Sequence, residues 1–304
     1  MPGPERFRPP HHRREAGANA QTTATERRDE LLQRLEQAIG AIHDSESFRR
    51  YLDAQARFHD YSFGNVALIL SQRPDATAVA GYNAWLRLHR YVRKGEKGIR
   101  ILAPMSRKEE AEEEGSKERR RLFFRSVSVF DVSQTDGEPL PEVAVPILEG
   151  ENGGSLMDSL LDFAKSQRLA VRLARGELPA SSAGAYWPEE QKIRVRAAPM
   201  RQMTKTLAHE LAHHVHHTLF GGEAADREER ETVAESVAYV VCGHFGLDTG
   251  ERSFPYVATW AKDRAVFKGA LGSIQKVSAA IIDGVEGRGR GERMPAAPDS
   301  GHDA

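Results

Sequence analysis

Residues able to do chemistry are concentrated between Thr206 and His217, TLAHELAHHVHH, where five histidines and one glutamate occupy twelve positions. His209 and His213 stand at i and i+4. On a helix that spacing puts two side chains on one face with Cβ atoms about 5–6 Å apart, close enough for two imidazole nitrogens to reach one zinc ion at about 2 Å each. Glu210 follows the first histidine and can act as general base toward a water whose pKa the ion lowers toward 7. This is the HExxH pattern. It makes Glu210 the expected catalytic residue and His209 and His213 the expected metal ligands.

Two histidines do not complete a zinc site; a third ligand and an open fourth position are required. The next segment offers ETVAE, with Glu231 and Glu235 again at i and i+4. One of them can bind the metal while the other orients a histidine. Ala234 and Ala238 leave room for close approach to the histidine helix. The remaining histidines fit less well. His214 is turned roughly 100° from His213 on a helix, and His216 and His217 share neither ligand's face cleanly. Solvated or capping roles near a helix end are expected for these three, with His217 at the edge of a cleft.

Several elements must hold these groups in place. Pro199 is expected to open the histidine helix, and a second helix runs from about Asp226 to Phe245, stopped by Gly246. A helix SLMDSLLDFAKSQ, a strand LAVRLA and a hairpin GAYWPEEQKIRVR turning at Pro188–Gln191 precede them, and SFPYVATWAKD and a helix Phe267–Ile282 follow. Tyr186, Trp187 and Tyr256 are available to line a pocket. Earlier in the chain come a helix Thr25–Ile42, a second capped by Asp44 or Ser45, a third capped by Ser62, an extended ATAVAGY, and a short helix NAWLRLHRYV. The strand-like runs IRILAP and LFFRSVSVFDVSQT then bracket a mixed-charge insertion at 107–121, which has no apolar face and reads as a solvated hairpin tip. The layout is α+β in two domains: a basic tail at 1–24, a first domain at 25–136, a Pro/Gly/acid-rich linker at 137–154, a second domain at 155–283 and a polar tail at 284–304.

Composition limits the alternatives. A net charge of −1 over 304 residues gives no global field toward nucleic acid or membrane, so any electrostatic function is local. The single cysteine, Cys242, sits in the apolar run VAYVVC; it leaves no disulfide framework, no cysteine zinc site, and a fit to a reducing, cytoplasmic setting. No run of about 18 apolar residues is present for a membrane span.

The local charge lies in WLRLHRYVRKGEKGIR, where Arg87, Arg90, Arg93, Lys94, Lys97 and Arg100 face one acid, Glu96. Tyr82, Trp85, Tyr91, Phe123, Phe124 and Phe130 are interleaved with it. Cations that track phosphates and rings that stack bases are what single-stranded nucleic acid requires.

The motifs YSFGN (61–65), TAVAGYNAW (77–85), VRKGEKGIRIL (92–102) and VFDVSQTDGEPLP (129–141), followed by HELAHH, ETVAESVAYVV and SFPYVATW, resemble ArdC-type antirestriction proteins in their order. The resemblance covers roughly residues 25–283. It implies an N-terminal single-stranded-DNA-binding domain joined to a C-terminal zincin-like metallopeptidase domain, related to the IrrE/ImmA group. It implies zinc as cofactor, single-stranded DNA as partner, an unidentified protein substrate, and protection of incoming DNA from restriction. By that analogy Glu231 is the third ligand and Glu235 its companion, the reverse remaining open, and Ser62, Asn65, Trp85, Arg93, Lys94, Lys97, Arg100 and Gln134 are the expected DNA contacts. Two other readings compete: a non-catalytic DNA-binding protein with a structural zinc, and a regulatory peptidase with one protein substrate. The insertion at 107–121 and the run HHVHH depart from the family's usual pattern.

Overall fold

Two helix starts are fixed by the side chains expected to fix them. Asp44 accepts the Ser47 amide at 2.8 Å while Ser47 Oγ accepts the Asp44 amide, a reciprocal cap on α2 (Ser45–Arg57). Ser62 caps α3 (Phe63–Gln72) by accepting the Asn65 amide. The preceding helix, α1 (Arg13–Gly40), begins at Arg13 rather than Thr25, so the expected tail and helix are divided elsewhere. The computed structural model describes residues 13–108, 120–140, 154–221, 227–249 and 263–287.

The expected helix NAWLRLHRYV divides in two. After β1 (Val79–Gly81), α4 (Tyr82–Arg87) ends, His89 takes φ 56°, and Arg90–Val92 form β2. The cause is tertiary: β2 pairs antiparallel with β5 (Thr135–Gly137), and the Arg90 guanidinium donates to the Thr135 hydroxyl at 2.8 Å and its carbonyl at 3.1 Å. Between them β3 (Ile99–Lys108) and β4 (Arg120–Asp131) form a long antiparallel hairpin, with β1 on the other side of β4. The charged tip at 109–119 lies outside the described residues, as do 141–153 of the expected linker. Asp131 closes this unit. Its carboxylate accepts the amides of Thr77, Ala78 and Ser133, which outweigh burial and hold it below the usual carboxylate range.

Beyond α5 (Gly154–Ser166), the expected hairpin forms as β7 (Gly184–Trp187) and β8 (Lys192–Val195), while β6 (Ala170–Leu173) pairs parallel with β8. The order β6-β8-β7 leaves β7 at the sheet edge. Among the described residues three helices follow: α6 (Met200–Phe220), opened at Pro199; α7 (Arg227–His244), closed by Gly246 at φ 75°; and α8 (Arg264–Val285). By length and composition α8 is apolar enough to cross a membrane, against the expectation of no such segment, but its Phe267, Leu271, Ile274 and Ile281 are buried in the protein core. The segment SFPYVATW, with Tyr256, lies outside the described residues.

The apolar core runs without interruption from Phe48, Tyr51 and Leu52 on α2 to Val237 and Val241 on α7 and Leu271 on α8. Polar bonds cross the same boundary: Tyr239 Oη donates to Asp53 Oδ1 at 2.7 Å, and the His244 ring donates to the Ala56 carbonyl at 2.8 Å. Cys242 is fully buried, and burial pushes its thiol up to about 12.

Candidate metal centre and nucleic-acid groove

Helix α6 turns Leu207, Leu211 and Val215 into the core, which leaves His209 and His213 on the opposite side facing a cleft of about 970 Å³. Their Nε2 atoms are 3.1 Å apart. Glu231 reaches across from α7, with Oε2 at 3.3 Å from His209 Nε2 and 3.7 Å from His213 Nε2. Donor atoms each about 2 Å from one tetrahedral cation are separated by roughly 3.3 Å, so these three atoms fit a common ion. Glu235, one turn further on α7, lies on the other side of the His209 ring: its Oε2 is 3.5 Å from Nδ1. The two glutamates therefore stand differently toward the histidines. Glu231 faces both histidines, and Glu235 faces only the back of one.

Electrostatics follow from this packing. Burial opposes charge on His209, but the carboxylates of Glu231 and Glu235 overcome it and push its pKa up to about 9. Glu231 is held far below the usual carboxylate range by His209 and His213. Glu210, in contrast, is buried, and burial raises its pKa despite the two nearby histidines. A raised carboxyl within a cleft is suited to taking and returning a proton. Its side chain lies against the backbone of Gly184 on β7, where a Cβ would come within 2.7 Å of Glu210 Oε1.

Three parts of this site were not anticipated from the sequence. Lys205, one turn before His209 and largely buried, places Nζ 2.6 Å from Glu235 Oε1. His214, expected to be solvated, is buried, with Nδ1 3.0 Å from Tyr186 Oη and its ring edge-on to the tyrosine. It points away from the ligands as expected, and it ties α6 to the strand bordering the cleft. Gly184 is the third. His216 and His217 line the cleft, as do Tyr186 and Trp187.

The expected DNA contacts need correction. Trp85 is 2% exposed and donates its ring N–H to the Phe130 carbonyl, so no base can stack on it. Asn65 is consumed by the Leu102 backbone, donating to its carbonyl at 2.9 Å and accepting its amide at 3.0 Å. Gln134 is buried between Glu96, the Lys97 carbonyl and the Asp131 amide. Ser62 is spent on its cap. Arg93 is exposed but paired with Glu96 and Asp136. Lys94 and Lys97 remain exposed, and Arg100 lines a groove of about 980 Å³ between α1, the end of α3 and the Gly95–Arg100 stretch. Arg34, Arg73 and Lys97 line it too, and a smaller hollow continues it past Arg27 and Ser126. Phe124 is 56% exposed and shares a strand face with Ser126 and Ser128, the latter accepting a bond from Arg100.

Residues 21–130 match the family model described as the N-terminal domain of anti-restriction factor ArdC. Two solved structures of the antirestriction ArdC protein from the R388 plasmid are similar to the chain: a metal-free one at 21% identity and TM-score 0.51, covering 75% of this chain and 86% of that one, and an Mn(II)-bound one at 18% identity and TM-score 0.51, covering 85% and 99%. Residues 21–130 are thus an ArdC-type N-terminal domain, and the chain shares the α+β fold of those structures. It is also similar to an uncharacterized protein of Bacillus anthracis, 27% identical over 247 residues, of which it spans 42% of the length and which takes in 68% of this chain.

Proposed function

We propose that the chain is an antirestriction protein that binds single-stranded DNA through its N-terminal groove and carries a metal-dependent peptidase centre of the zincin kind on α6 and α7. The observation that carries the peptidase half is the convergence of His209, His213 and Glu231 on one point with a buried, proton-accepting Glu210 beside them. A divalent cation held there would polarise a carbonyl and lower the pKa of a water. Zinc suits two imidazoles and a carboxylate; Mn(II) is the ion in one neighbour's structure. Glu210 then serves as general base and returns the proton to the departing amine. Lys205 and Glu235 hold the His209 ring from behind. The edge strand β7 runs along the cleft, where an extended peptide can add to the sheet by main-chain hydrogen bonds.

Protection of incoming DNA rests on the groove of Arg27, Arg34, Arg73, Lys97 and Arg100, with Phe124 as the exposed ring beside it. The decisive comparison is Glu210→Gln against the wild type, with metal content, oligonucleotide binding and cleavage of candidate restriction proteins measured together. Retained metal and DNA binding with cleavage reduced by at least about 100-fold supports a general base. Equal cleavage by both proteins refutes it, and no cleavage by the wild type leaves DNA occupancy as the whole activity.

A further inference from the structure

A second group of ligand-type side chains lies at the opposite end of α7. His59, in the connection between α2 and α3, meets His244 at the end of α7 and Glu286 just past α8, with one donor atom from each lying within 4.8 Å of the others. His244 Nε2 is 3.1 Å from Glu286 Oε1, and the two imidazole rings stand 4.6 Å apart between centroids at 72°. Asp60 and Asp283 form a second such triad with His59, Asp60 Oδ1 lying 3.6 Å from His59 Nε2. His59, His244 and Glu286 have side chains less than a tenth exposed, and Asp60 is 19% exposed.

Two features separate this group from ordinary surface charge. The first is orientation. His244 Nδ1 is 2.8 Å from the Ala56 carbonyl, which can only accept, so Nδ1 carries the hydrogen and Nε2, 3.1 Å from Glu286 Oε1, is the ring atom left to bind a cation shared with that carboxylate. A ring nitrogen fixed by a carbonyl while the other faces a ligand cluster is the usual support of a metal-binding histidine. The second is charge. Asp60, Asp283 and Glu286 bring three carboxylates together around two imidazoles in a largely buried place, a donor set that suits a divalent cation.

We propose that His59, His244 and Glu286, with Asp60 and Asp283 alongside, form a second site for a divalent transition metal. Mixed imidazole and carboxylate donors select zinc, manganese, iron or cobalt over calcium and magnesium. His244 follows Glu231 by thirteen residues on the same helix, which places this site roughly 20 Å from the first along the axis. It joins the α2–α3 connection to the ends of α7 and α8, so its role is to fasten the N-terminal layer to the helix that carries Glu231. It is independent of the peptidase reading.

The test uses the full-length chain, stripped with a chelator, returned to buffer and titrated calorimetrically with Zn(II), and separately with Mn(II). The wild type is expected to take two equivalents, and His209→Gln/His213→Gln to keep one. Adding Glu286→Gln or His244→Gln to that double variant should remove the remaining equivalent, and with it the rise in melting temperature that the ion produces. A single equivalent in the wild type that disappears in His209→Gln/His213→Gln overturns the proposal without depending on the folding of any second-site variant. So does a residual equivalent that survives both second-site substitutions, which would assign it to His11–His12 or His216–His217. A single wild-type equivalent that survives His209→Gln/His213→Gln and is lost with Glu286→Gln would support this site while counting against the centre on α6.

Discussion

Lys205 and Glu235 are joined across α6 and α7 by a 2.6 Å contact between Nζ and Oε1, and the other oxygen of Glu235 lies behind His209. A largely buried lysine thus positions a carboxylate that backs the proposed ligand His209. Lys205→Met keeps the length and apolar stem of the side chain while freeing Glu235. Metal affinity of the α6–α7 centre is expected to fall about 10- to 100-fold, as for other groups that orient a ligand from behind, read by competition with a chromogenic chelator. Unchanged affinity with a lowered melting temperature would reduce the pair to a structural role.

The metal-free chain should respond to pH through His209. Its folded pKa, pushed up to about 9, lies above the ordinary value of 6.5. The stability it contributes is therefore fully present below about 6.5 and is lost as pH rises through 9. Metal affinity runs the other way, because the ion must displace that proton. Between pH 6.5 and 9 the melting temperature of chelator-treated protein should fall while the affinity for Zn(II) rises. Parallel trends in the two curves would contradict the assignment. Glu231, held far below the usual range, releases no proton over this window.

Gly184 allows Glu210 its position. A Cβ there would meet Thr206 Cγ2 at 2.6 Å and Glu210 Oε1 at 2.7 Å, both on α6. Gly184→Ala should displace the carboxyl and lower peptide cleavage at least tenfold, with metal content unchanged. Equal cleavage by the variant would mean that the location of Glu210 is not critical.

Phe124 and Trp85 make opposite predictions for DNA. Loss of an exposed stacking ring costs about 1–3 kcal/mol per base, so Phe124→Ala should weaken oligonucleotide binding about 5- to 150-fold without altering the fold. Trp85→Ala removes a buried ring and should cost about 3–5 kcal/mol of stability. Arg34→Ala or Arg100→Ala should flatten the dependence of affinity on salt. Anisotropy titrations at several salt concentrations separate these effects, and a Phe124→Ala protein that binds as well as the wild type would remove the ring from the groove.

Local rules made part of this legible. The i,i+4 spacing of His209 and His213 needs only helix geometry, and the caps Asp44 and Ser62 need only a hydroxyl or carboxylate before an apolar run. Distance along the chain hid the rest. Lys205 and Glu235 are thirty residues apart, and the Tyr186 hydroxyl is twenty-eight from its partner His214. The list of expected DNA contacts mixed buried and exposed groups for a related reason: a basic, aromatic stretch does not reveal which rings face inward. Trp85 goes in because the Phe130 carbonyl awaits it, and Phe124 stays out because the opposite face of its strand is the packed one.

The unbroken core between α2 and α7 bears on how such a chain can be dissected. A protease cut within 141–153 would leave two fragments that remain clasped, because separating them would uncover Phe48, Tyr51 and Leu52 on one side and Val237 and Val241 on the other. The N-terminal half is therefore a poor graft for chimeras. Transplanted alone, it would carry a sticky apolar wall; the unit that can be moved is the clasped pair.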